Sequence, residues 1–204
     1  MNYSRQERIA LADLFFEVGP DQPTLCGGWD TRDLAVHLML REHRLDAVPG
    51  MFVRLFKGHT DMVTRRVETS SFEDIVRIWA RGPRPWHPLA WLDRSVNLGE
   101  NFVHHEDVRR GVPGWKPRDL APEETWELWR LLRKVSRPLL RKSKCSIVLE
   151  HPSGSRTRPV KRNGSLPTVT VRGEMGELLL WVFGRDAVEV EIDGDASGVV
   201  RGGL

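Results

Sequence analysis

Residues 91–111 contain a carboxylate and an imidazole at a spacing that could bind a metal ion. Glu100 and His104 are four residues apart, and Asp107 follows His104 by three. At about 100° per residue, an α-helix places these three side chains on one stripe. A carboxylate and an imidazole one turn apart can hold a divalent cation when another helix supplies a further ligand.

His37 is the expected further ligand. It lies beside Leu34 and Leu38 in a second predicted helix, so we expect it to face the core. Each of these groups also has an ordinary interpretation. Glu-x-x-x-His pairs occur on hydrated helix faces, and a single core histidine is commonly only hydrogen-bonded. On spacing alone, the ordinary interpretation is favoured over metal binding.

The apolar periodicity predicts the helices that would position these residues. The predicted helices span residues 4–18, 30–46, 71–81 and 92–110, with a shorter one around residues 61–67. Another begins at Pro122 and has an apolar face that extends to Leu139. Ser4, Asp30 or Thr31, and Ser71 with Asp74 are the expected caps. Trp29, in the turn-rich loop before the second helix, is expected to fill the core.

The sequence changes character from Lys144 onward. Short β-type runs at residues 145–150, 157–161, 168–172 and 187–192 are separated by turn residues and by an apolar helix at residues 174–184. The predicted fold class is therefore α+β. A helical bundle over residues 1–142 is expected to precede a small α+β domain over residues 143–204.

Composition narrows the classes of partner. The 204 residues are 40% hydrophobic and 29% charged, with a net charge of +3, as in an ordinary globular protein. No block of five like charges and no run of 18 apolar residues occurs, so we expect neither a nucleic-acid nor a membrane partner. Cys26 and Cys145 form no Cys-x-x-Cys pair, which favours a reducing cytoplasm. Cys26 could lie near the site, but a buried, inert thiol is its expected state.

Two motifs in order resemble one family. Gly28-Trp29 and Asp-Leu-Ala-Val-His at residues 33–37 are followed by Glu-Asn-Phe-Val-His-His-Glu-Asp at residues 100–107. This combination resembles the N-terminal domain of mycothiol-dependent maleylpyruvate isomerases, a branch of the DinB-like four-helix metalloproteins. The likeness covers roughly residues 5–140 and is strongest to an uncharacterised actinobacterial metal-binding subgroup. The C-terminal part more weakly resembles the sterol-carrier-like domain of that superfamily.

The resemblance implies a site and a chemistry. His37, Glu100 and His104 match the family's metal ligands, and Asp107 matches a residue that orients a ligand or moves a proton. His105 is not carried over and is expected to be partly exposed. Two imidazoles and a carboxylate suit zinc, or another divalent metal, with an open fourth position. The family implies mycothiol as a co-substrate that is held there as a thiolate.

Three functions follow from these observations. The first is a thiol-dependent isomerase or S-transferase acting on a small electrophile, in which Arg41, one turn beyond His37, would bind a substrate carboxylate. A substrate other than maleylpyruvate itself is favoured. The second is a non-catalytic metal- or small-ligand-binding protein. The third, a DNA-associated regulator, is poorly supported because the arginines are scattered. A homodimer is one open assembly state.

Overall fold

The structure is a computed structural model, and it describes residues 2–44, 57–83, 94–157, 160 and 166–202. Within these residues, seven α-helices and one three-stranded sheet give an α+β fold, as predicted. The chain divides into two compact units, Met1–Trp115 and Lys116–Leu204. None of the described helices is both long enough and apolar enough to cross a membrane.

Five described helices make up the first unit. They are α1 (Tyr3–Val18), α2 (Thr31–His43), α3 (Lys57–Glu68), α4 (Phe72–Ala80) and α5 (Arg94–Arg109). Helix α1 packs on α5 and α4, while α2 packs on α4 and α3. The start of the predicted helix over residues 92–110 lies outside the described residues.

The N-terminal caps explain where the helices begin. Asp30, one of the two expected caps, begins α2 and forms a reciprocal capping box with Asp33. Ser71 caps α4 by accepting a hydrogen bond from the backbone of Asp74, 3.1 Å away. The expected cap of α1 was wrong, because Asn2 rather than Ser4 accepts the hydrogen bond from a first-turn amide. Ser4 is itself inside α1.

Aromatic side chains fill the core between α1 and α4. Phe15 and Trp79 are fully buried, with ring centroids 6.1 Å apart at an interplanar angle of 75°. Phe72 makes a second edge-to-face contact with Phe15 at 5.9 Å. Such pairs contribute roughly 0.5–1.5 kcal/mol each beyond the burial of their area. These contacts hold α1 and α4 together.

The second unit contains two helices and the sheet. These elements are α6 (Pro122–Leu140), β1 (Ser146–Glu150), β2 (Thr168–Arg172), α7 (Met175–Val182) and β3 (Glu191–Asp193). Strand β2 pairs in parallel with β1 and antiparallel with β3. The expected strand over residues 187–192 is shorter and shifted towards the C-terminus. Of the expected strand at residues 157–161, residues 158, 159 and 161 lie outside the described residues, while the backbone amides of Thr157 and Val160 donate to carbonyls of β1.

The two compact units divide the chain earlier than the predicted domain boundary at residue 142. The first unit ends at Trp115, and α6 packs on α7 within the second unit. Pro122 occupies the start of α6, where its missing N–H costs nothing. The long apolar face of α6 therefore contributes to the core of the second unit.

A buried ion pair joins α1 to α2. The Arg8 guanidinium donates two hydrogen bonds to the Glu42 carboxylate, at 2.5 and 2.7 Å, and a third to the carbonyl oxygen of Trp79 at 3.1 Å. Their side chains are only 7% and 3% exposed. A charge left here without its partner would be buried and uncompensated.

We expect Arg8→Met to lower the free energy of unfolding by about 3–5 kcal/mol, because it strands the Glu42 carboxylate. Urea denaturation measures the change. Adding Glu42→Leu should restore part of the loss, since the second substitution removes the stranded charge. Arg77→Met is the control, because Arg77 and Asp74 are both 61% exposed, and it should change stability by less than about 1 kcal/mol. Equal losses of unfolding free energy in Arg8→Met and Arg77→Met would contradict the prediction that breaking the buried pair costs more than breaking the exposed one.

Candidate metal site

Three parts of the first unit bring the predicted site residues together. Helix α2 supplies His37 and Arg41, and α5 supplies Glu100, His104 and Asp107. The loop over residues 19–30 lies against the C-terminal end of α5. Every member of the predicted site therefore comes from the described part of one compact unit.

Main-chain contacts dock this loop on α5. The backbone amide of Leu25 donates to the carbonyl of Asp107 at 3.0 Å, and the Gln22 side-chain amide donates to the carbonyl of Val108 at 2.9 Å. Gly111 allows the approach, because a Cβ there would lie 1.9 Å from the carbonyl oxygen of Pro23. Any larger residue at position 111 would displace the loop from the site.

His37, Glu100 and His104 form a compact group of ligand atoms. One ligand atom from each lies within 4.8 Å of the others. His37 and His104 are in edge-on ring contact, with centroids 6.0 Å apart. Glu100 and His104 are buried at 7% and 3% exposure, and His37 is half-buried. The structure thus assembles the three residues that the sequence predicted as ligands.

The Nε2 atom of His104 is the clearest sign that this group fits a metal ion. It is buried and has no hydrogen-bond partner among the described residues. The Glu100 Oε1 atom is 3.6 Å away, which is longer than a hydrogen bond. Two ligands of a tetrahedral zinc ion, with bonds of about 2.0–2.1 Å, are about 3.3 Å apart. The separation therefore suits two ligands of one ion, although the three side chains must close by about 1 Å to bind it.

Asp107 holds the other side of the same ring. Its Oδ2 atom is 3.0 Å from His104 Nδ1, and its side chain is fully buried. In the neutral form of the His104 ring, a carboxylate that accepts a hydrogen bond from Nδ1–H leaves Nε2 deprotonated and directed at the ligand group. Asp107 is therefore placed to orient a ligand, one of the two roles predicted for it.

Cys26 extends this polar cluster, which the sequence did not predict. Its thiol donates to Asp107 Oδ2 at 3.0 Å, and its Sγ atom lies 3.7 Å from His104 Nδ1. The side chain is half-buried rather than fully buried. The Gly-Gly turn after it and the docking of the loop on α5 could not be read from the spacing of the motifs.

Arg41 contacts Glu100, one of the three predicted ligands, rather than open solvent. Its Nη2 atom is 3.1 Å from Glu100 Oε2, and its side chain is 17% exposed. The pair uses the Glu100 oxygen opposite to the one that faces His104. Arg41 thus neutralises the carboxylate and fixes its direction. Its predicted contact with a substrate carboxylate stays a prediction.

Two neighbouring residues differ from expectation. Trp29 was expected to fill the core, but it is 38% exposed and packs on His37 with ring centroids 5.1 Å apart. His105 was expected to be partly exposed, but it is buried, with Nδ1 2.9 Å from Glu7 Oε2. The partner of His105 is 98 residues away, on α1, whereas that of Trp29 lies nearby in sequence, on α2.

The site separates the pKa values of its two imidazoles. Burial, together with the charges of His104 and Arg41, lowers the pKa of His37 to about 4. Burial alone would also lower the pKa of His104, but contacts with Asp107, Cys26 and Glu100 outweigh it and raise this pKa well above 6.5. Burial opposes ionisation of Glu100, yet His104 and Arg41 bring its pKa below 4.5. At neutral pH, these shifts leave His37 neutral and favour the doubly protonated, cationic form of His104.

Comparisons of the chain with protein-family models, curated proteins and solved structures find no match. Membership of the family that the motifs resemble therefore stays a prediction. The chemistry of the site follows from its own geometry.

Metal affinity should rise with pH through the neutral range. His104 must lose a proton to coordinate, whereas His37 is already neutral above about pH 5. One displaced proton corresponds to an increase in affinity of about tenfold per pH unit below the pKa of His104. Chelator-competition titrations with zinc between pH 6 and 7.5 measure this slope.

The control is His151→Ala, which removes a histidine from the second unit and should leave both the affinity and the slope unchanged. An affinity that is independent of pH, after correction for the chelator's own protons, would show that no protonated histidine is displaced.

Proposed function

We propose that the first unit binds one divalent cation, zinc by preference, through His37, Glu100 and His104. The observation that carries the proposal is the buried Nε2 atom of His104, which faces a carboxylate at 3.6 Å and has no hydrogen-bond partner in the part of the chain that the structure describes. A buried polar atom without a partner is costly, and a metal ion would satisfy it. The residue types were also those expected from the family resemblance.

The ligand set favours a particular kind of metal site. Two imidazoles and one carboxylate are borderline ligands that suit zinc. Structural zinc sites usually have four protein ligands, whereas catalytic sites have three and an open position. With three such ligands, the proposed site belongs to the second kind. A DinB-like helical bundle in this unit is part of the same proposal, supported by the order of the motifs.

The proposed activity is that of a thiol-dependent isomerase or S-transferase. A bound zinc ion would lower the pKa of a coordinated thiol such as mycothiol and supply a thiolate nucleophile. The chain's own contribution is positional. Asp107 fixes the His104 ring, Arg41 holds Glu100, and Trp29 packs on the partly exposed His37. A small electrophilic substrate would approach from that half-exposed side.

The second candidate is a non-catalytic metal- or small-ligand-binding protein. It is favoured by the contact between Arg41 and Glu100, because a guanidinium engaged with a metal ligand cannot also pair freely with a substrate carboxylate. The two candidates share the metal site and differ in whether a thiol can reach it.

The purified protein, loaded with zinc, should contain one ion per chain. We expect His37→Ala and Glu100→Gln each to weaken zinc binding by more than about 100-fold, since removing a ligand exceeds the usual 10–100-fold effect of its supporting residues. Elemental analysis and chelator competition provide the measurement, and circular dichroism checks that the variants are folded. Unchanged affinity in both variants would rule out this site.

Access of a thiol can be tested on the cobalt-substituted protein. If the fourth position is open, adding mycothiol should change the visible spectrum of the bound cobalt, because a thiolate replaces water as a ligand. The His37→Ala variant is the control and should show no such response. A cobalt spectrum that ignores every added thiol would favour the non-catalytic alternative.

A further inference from the structure

The His104 ring has a second group of potential ligands on its other edge. Cys26, His104 and Asp107 offer a sulfur, a nitrogen and an oxygen atom within 4.8 Å of one another. They come from the docked loop and from two turns of α5. The function proposed above makes no use of the sulfur atom of Cys26.

The distances in this group are close to those of a coordination sphere. Cys26 Sγ is 3.7 Å from His104 Nδ1. With bonds of about 2.3 Å to sulfur and 2.05 Å to nitrogen, tetrahedral ligands are about 3.6 Å apart. Asp107 Oδ2 is 3.0 Å from both atoms, which is hydrogen-bond distance, so it would have to withdraw by about 0.5 Å.

We infer that Cys26, His104 and Asp107 form a second cation site, selective for thiophilic metal ions, that competes with the first site for the same imidazole. A thiolate ligand selects soft cations, whereas the carboxylate and imidazoles of the first site suit borderline ones. The inference shares His104 with the proposed zinc site, but it stands on the Cys26 side of the ring and does not require zinc to bind.

The exclusion between the two sites follows from the protons of one ring. A cation on Nε2 leaves the proton on Nδ1, where Asp107 accepts it. A cation on Nδ1 requires that proton to leave and keeps the other proton on Nε2, directed at Glu100. Only an imidazolate, which no described contact stabilises, could bind two ions at once. One ion per chain is therefore the expected limit.

Loading the second site has a defined proton balance. The thiol of Cys26 loses its proton to solvent and becomes a thiolate ligand. The His104 ring loses the Nδ1 proton and retains the one on Nε2. No oxidant or reductant is needed. The thiol is half-buried, so an ion can reach it without unfolding of the docked loop.

Cadmium is the probe, because a cadmium–thiolate bond produces a ligand-to-metal absorption band in the ultraviolet. The full-length metal-free protein is titrated with Cd²⁺ alone. We expect the band to saturate at one ion per chain, to disappear in Cys26→Ser and to persist in His37→Ala. Cys145→Ser is the matched control, because this thiol is buried in the second unit at 2% exposure, and it should keep the band.

A competition experiment tests the exclusion. Adding Cd²⁺ to the zinc-loaded protein should release zinc in proportion to the growth of the band. In Cys26→Ser, the zinc should be retained until Cd²⁺ is about tenfold more concentrated or higher, since the softer ligand has gone. Circular dichroism confirms that Cys26→Ser is folded.

Three results would overturn the inference: no band in the wild-type protein, a band that survives Cys26→Ser, or two ions bound together. The outcome is separable from that of the proposed function. A protein that does not bind zinc but shows the Cys26-dependent band would refute the first site and support the second. Zinc binding lost in His37→Ala, with no cadmium band in the wild type, would do the reverse.

Discussion

The hydrogen bond between His104 Nδ1 and Asp107 Oδ2 is the interaction on which the site depends. It fixes the tautomer and the rotation of a ring that is almost wholly buried, and so directs Nε2 at Glu100 and His37. Both residues lie on one helix at a spacing of three, so their geometry is set by the backbone rather than by a loop. Without this contact the ring could rotate, and neither proposed cation site would be preorganised.

The rest of the first unit keeps that helix and its partners in place. The buried Arg8–Glu42 pair joins α1 to α2, and α2 in turn presents His37 and Arg41. The loop over residues 19–30 closes the other side, where Gly111 lets it approach α5. The aromatic core between α1 and α4 holds these two helices together. The contacts that stabilise the first unit are therefore also the ones that position the site residues.

The sequence predicted the ligands because helical periodicity is local. Glu100 and His104 are four residues apart, so they lie on the same face of the helix however the helix is rotated about its axis. The leucines beside His37 indicated that His37 faces the core. Contacts between distant segments could not be predicted this way. The thiol of Cys26 reaches Asp107 only because the loop docks on α5, and His105 is buried only because Glu7 lies opposite on α1. Likewise, the apolar face of α6 indicated a helix but not that it would pack on α7.

The most direct test of the central claim is X-ray absorption at the zinc edge of the zinc-loaded protein. The account predicts a first shell of nitrogen and oxygen atoms at about 2.0–2.1 Å, with the outer-shell scattering of two imidazole rings and no sulfur at about 2.3 Å. A sulfur shell would place zinc on Cys26 instead. A shell of oxygen atoms alone, without imidazole scattering, would contradict a site built from His37, Glu100 and His104.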